Sequence, residues 1–83
     1  MRHRFRGRWW RILFRRLRKE DGTCCVGVHE IAVSTGIGQQ RTLDVLIHEG
    51  LHACLPDLDE DAVAETAEDL AGLLWRLGWR PKI

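Results

Sequence analysis

The stretch that decides the fold is residues 45–54, VLIHEGLHAC. Through it and just outside it, apolar side chains return at three- and four-residue steps: Leu43, Ile47, Leu51 and Cys54. That period is helical, and the spacing predicts a helix over 39–55, ended by Pro56. His48 and His52 stand at i and i+4, so one helical face presents both imidazoles side by side. Glu49 follows the first of them directly.

Working toward the C-terminus, PDLDED offers Asp57 or Asp59 as an N-cap, with Glu60 at capping-box spacing from Asp57. A second helix is expected over 58–77. Its stripe is Val63, Ala67, Leu70, Leu74 and Leu77, with Gly78 as the stop and Pro81 just beyond. The short turn between the helices implies an antiparallel hairpin. Working toward the N-terminus, STGIGQ breaks the chain, and CVGVHEIAV at 25–33 reads as a strand. KEDGT at 19–23 reads as a turn around Gly22. RWWRILFRRL at 8–17 fits either period, and its aromatic and β-branched content favours a strand. Residues 1–7 read as a disordered basic tail. The expectation is one α+β domain over 1–83. In it a small sheet of two to three strands (8–35) is followed by the motif helix (39–55) and a ligand helix (58–77).

Eighty-three residues is near the lower limit for a chain that must bury its own core, and a structural metal is one remedy. The net charge of +1 conceals an asymmetry. The first nineteen residues hold eight Arg, one Lys and no acid, whereas the rest holds four basic and twelve acidic residues. Three cysteines, two of them adjacent, do not make a disulfide framework, which points to a reducing, cytoplasmic setting. No uninterrupted apolar run suits a secretion signal or a transmembrane segment.

The i, i+4 spacing lets His48 and His52 reach one Zn²⁺. Glu49, poorly angled to join them, is placed to act as general base toward a water on the open side of the ion. This is the HExxH pattern of zinc metallopeptidases; the bland reading is two surface histidines on an amphipathic helix. Counting outward from the turn puts residues 64–65 opposite the motif. Glu65 is therefore the expected third ligand, with Asp61 and Glu68 as reserves on the same face. A solvated acidic face is the alternative for all three.

The segments LDVLIHEGLHA and DEDAVAETAEDLAGLLWRLGWR, covering roughly 42–80, resemble small zincin-like metallopeptidases of phages and prophages. These are of the gluzincin type and loosely akin to SprT-like and ImmA-type proteins. The resemblance implies zinc, a water nucleophile and hydrolysis of peptide bonds in a peptide or protein substrate.

Other residues are weaker candidates. VHEI at 28–31 repeats the His-Glu pair, but Val33 takes the place of a second histidine. His29 or Arg41 is a candidate oxyanion donor. Cys54, two residues after His52, points away from the ligand face and reads as core. Edge pairing near 31–33 is the expected way to align an extended peptide. The Arg-rich residues 2–19, interleaved with Trp9, Trp10 and Phe14, suit nucleic acid or an anionic surface. An outer strand face solvated by arginine is the plain alternative. The competing function is therefore a non-catalytic, zinc-stabilised binding module with a basic N-terminus contacting nucleic acid or membrane.

Overall fold

The computed structural model describes residues 1–82. Strands β1 (Arg2–Phe5), β2 (Arg8–Arg15), β3 (Gly22–Cys25) and β4 (Glu30–Ser34) precede helices α1 (Gln39–Cys54) and α2 (Glu60–Arg76). The architecture is the expected α+β one, with four strands where two or three were expected. They form one mixed sheet in the order β1-β2-β4-β3. β1 is antiparallel to β2, β2 parallel to β4, and β3 antiparallel to β4.

The additional strand comes from the segment read as a disordered tail. Arg2–Phe5 pairs along its length with β2, Arg2 opposite Arg11 and Phe5 opposite Arg8. The turn between them is Arg6-Gly7, with φ of 51° and 80°. Two successive positive φ values are the geometry whose twist matches a two-residue hairpin. Composition alone hid the pairing: arginines on alternate positions leave His3 and Phe5 to face inward, and Phe5 packs on the core.

The expected single strand over 25–33 is divided. A short 3-10 turn at Val26–Val28 and a left-handed His29 (φ 52°) reverse the chain between β3 and β4. β4 lies inside the sheet, and its residues Ile31, Ala32, Val33 and Ser34 are buried. It therefore has no free edge, and the peptide-aligning edge expected near 31–33 belongs to β3 instead. The turn placed at 19–23 also shortens, because Gly22 and Thr23 already belong to β3.

The core lies between one sheet face and α1: Trp10, Ile12, Ile31, Val33 and Val45, with Phe5, Phe14, Cys24, Leu46 and Ala53 against them. Each large side chain of this kind contributes about 1.5–3 kcal/mol when fully buried; three of the nine buried apolar residues are alanines, so the core is a modest one. In α1 the buried residues are Thr42, Val45, Glu49 and Gly50. The stripe Leu43, Ile47, Leu51 and Cys54 is only half-buried, lying on the side of the helix away from Val45. α2 packs chiefly on α1, forming an outer layer. Its buried residues are Val63, Ala67 and Ala71, while Leu70 and Leu77 of the expected stripe are exposed. Asp59 is the N-cap, its side chain accepting from the Ala62 amide at 2.9 Å. Gly78 ends the helix with φ of 92°, in the left-handed region that favours glycine.

Candidate metal centre

Two rows of α1 build the site. Val45 and Glu49, four residues apart, both turn toward the sheet at β3. His48 and His52 form the adjacent row, turned toward the start of α2. β3 must approach this helix closely, which is why it carries Gly22. A Cβ there would collide with Val45 Cγ1 and come within 3.0 Å of Glu49 Oε2. Glycine thus admits the glutamate between helix and strand.

The imidazoles of His48 and His52 lie edge to face, with ring centroids 5.0 Å apart. Potential ligand atoms of His48, Glu49 and His52 all fall within 4.8 Å of one another. This His/Glu/His group is geometrically able to hold a metal ion. A further carboxylate joins it: Glu60 places Oε1 2.9 Å from His48 Nε2 and Oε2 2.9 Å from His52 Nε2. Glu60 thus sets one carboxylate oxygen against each of the two imidazole nitrogens.

Glu65 is exposed on α2 and does not line the cleft. At about 100° per residue it lies about 200° round the helix from Val63, so it turns away from α1. Asp61 and Glu68 are likewise exposed and absent from the cleft lining. Glu60, also exposed, precedes Val63 by three residues and Ala67 by seven, and so stands in register with the buried row of α2 at the helix's first residue. Symmetric counting about the turn missed it because position along the hairpin does not fix direction around the helix axis. The signal that identifies Glu60 is its register with Val63, Ala67 and Ala71.

The motif opens on a cleft of about 370 Å³ lined by Gly22, Thr23, Cys24, His48, Glu49, His52, Pro56 and Glu60. Glu49 is 8% exposed. Burial raises its pKa, and the Glu60 carboxylate adds to the rise, while His48 and His52 pull it down. A raised pKa makes this carboxylate a stronger base than an exposed glutamate. The Cys24 thiol, half-buried beside Glu49, is pushed up to about 11, first by burial and then by the Glu49 and Cys25 charges. Cys24 lines the cleft but lies outside the His48, Glu49 and His52 group.

The weaker candidates lie elsewhere. His29 stacks on Trp10 with centroids 4.7 Å apart, and its Nδ1 lies 3.2 Å from the Trp9 carbonyl. Arg41 is engaged by Asp21 and Asp44, each at 2.9 Å. Neither lines the cleft. Cys54 is half-buried at the end of α1, also outside the cleft. The chain has no tyrosine, so no phenol is at hand. Among the described residues, no helix is long and apolar enough to cross a membrane.

Compared with protein-family models, with curated proteins and with solved structures, the chain matches none of them.

Proposed function

We propose that this chain is a small zinc-dependent metallopeptidase in which His48, His52 and Glu60 hold the ion and Glu49 is the general base. The observation that carries this reading is Glu60, whose two oxygens each stand 2.9 Å from one histidine Nε2, with the buried Glu49 alongside. Two histidines and a glutamate form one of the donor sets of catalytic zinc sites, which leave a position open. Glu60 takes the role expected of Glu65. Zinc bound there supplies Lewis acidity, polarising a carbonyl oxygen.

The chain's own residues do the rest. Glu49 accepts the proton of the attacking water and holds it for the departing amine, a transfer favoured by its raised pKa. Gly22 keeps room for that carboxylate. β3 pairs with β4 on one side only, and its residues Gly22, Thr23 and Cys24 line the cleft. An extended peptide can pair with its free edge through main-chain hydrogen bonds, which brings a peptide bond alongside Glu49. The family resemblance carried by HEGLH and the helix that follows it points to the same chemistry.

The test is Glu49→Gln, assayed for zinc content and for cleavage of unstructured peptides and casein. Retained zinc with lost cleavage is the expected result. Loss of zinc in this variant contradicts the role of Glu49. Zinc bound by a wild-type protein that cleaves nothing would favour the staple reading, in which the ion ties the first turn of α2 to α1.

A further inference from the structure

We propose that the outer face of the sheet, opposite the helices, is a binding surface for single-stranded nucleic acid. Strand alternation and the β1–β2 register place Arg2, Arg4, Trp9, Arg11 and Arg15 on this face, with Arg2 beside Arg11 and Arg4 beside Trp9. Trp9 is 53% exposed, an unusual position for so large an apolar ring. The guanidinium carbons of Arg2 and Arg4 lie 4.9 and 5.4 Å from its ring centroid. Beside it opens a cavity of about 340 Å³, bounded by Arg2, Trp9, Arg11, Val28 and His29. That size is within the range of small-ligand sites, and its walls combine indole, guanidinium and imidazole planes with Gly27 and the aliphatic Val28.

Charge identifies the occupant as a polyanion. Two arginines directly opposite each other across an antiparallel pair repel, at a cost to stability in the free protein. Among the described residues, Arg11 is the only one of the nine basic residues before Glu20 that meets a carboxylate, Glu30 at 3.4 Å. The acids gather in the remainder of the chain, which carries a net eight negative charges. Planar walls then favour nucleic acid over lipid, because bases stack on aromatic rings and guanidinium planes. A sheet face presenting a ring suits unstacked bases and does not fill a duplex groove. This surface lies across the sheet from the metal centre, so its test does not depend on peptidase activity.

The experiment is fluorescence anisotropy with a labelled fifteen-nucleotide oligothymidine, titrated with the full chain between 50 and 200 mM salt. Four arginines meeting phosphates predict a log–log salt slope of about −3. Trp9→Ala should weaken binding by about 5- to 150-fold, as loss of one stacked base does. Arg2→Glu with Arg4→Glu should weaken it further and flatten the salt slope. Far-UV circular dichroism and Tm serve as the folding control, since neither depends on the metal centre. The proposal is overturned if the oligonucleotide does not bind, or if Trp9→Ala binds it as tightly as wild type. It is equally overturned if a duplex of the same length binds as tightly, or if phosphatidylserine vesicles bind while the oligonucleotide does not.

Discussion

Replacing Gly22 by alanine tests how the sheet and the motif helix are held together. The added methyl would meet Val45 Cγ1 at a distance no settled contact shows, with Glu49 Oε2 at 3.0 Å and Glu49 Cγ at 3.1 Å. Val45 is a buried core residue, 3% exposed, and cannot swing into solvent. Either β3 or α1 must therefore shift. Overpacking of this kind costs about 1–3 kcal/mol. For a domain of this size each kcal/mol lowers Tm by about 4–8 °C, so the expected fall is about 4–24 °C by circular dichroism. Gly27→Ala is the matched control. Nothing lies within 4 Å of the position its methyl would take, so it should leave stability unchanged or raise it by about 0.4–1 kcal/mol. Because Glu49 is displaced, Gly22→Ala should also lose peptide cleavage disproportionately to any loss of zinc. An unchanged Tm in Gly22→Ala would refute the close approach of β3 to α1 and with it the placement of Glu49.

Two further outcomes follow from local chemistry. In chelator-treated protein, burial raises the folded-state pKa of Glu49 above its unfolded value, so its charged form opposes folding. The stability this group contributes is fully present below the ordinary glutamate value of about 4.3 and is lost as pH rises through the raised value. The Tm advantage of Glu49→Gln over wild type, measured with EDTA, should therefore grow from pH 4 upward and then level off; a pH-independent difference would contradict the burial. Asp59→Ala removes the acceptor for the Ala62 amide and should cost about 0.5–2 kcal/mol, read from urea unfolding. An unchanged midpoint would show that Asp59 contributes no cap.

The helical hairpin was legible because its signals are local and redundant: apolar period, Pro56, the Asp59 cap and Gly78. The motif histidines were legible for the same reason, since i, i+4 spacing on a helix is a short-range fact. The carboxylate proposed as third ligand was less so. Glu60 and Glu65 are both acids on one helix, and only the direction set by Val63, Ala67 and Ala71 separates them. Val63 and Ala67 were in the expected stripe, but the more hydrophobic Leu70, Leu74 and Leu77 continued it in place of Ala71, and Leu70 and Leu77 are exposed. The strand order was not legible at all. Pairing of β2 with β4, and the use of Arg2–Phe5 as an edge strand, depend on contacts distant in sequence that leave no periodic trace in a short arginine-rich segment.

The most direct test of the central claim is zinc stoichiometry by mass spectrometry, with affinity by chelator competition, on wild type, His48→Ala, Glu60→Gln and Glu65→Gln. The account predicts one zinc per wild-type chain, none in His48→Ala, and wild-type affinity in Glu65→Gln. Glu60→Gln should bind at least about 100-fold more weakly, beyond the 10–100-fold typical of losing an outer-shell partner. Full zinc binding by Glu60→Gln, or a wild-type chain that takes up no zinc when it is supplied, would contradict it.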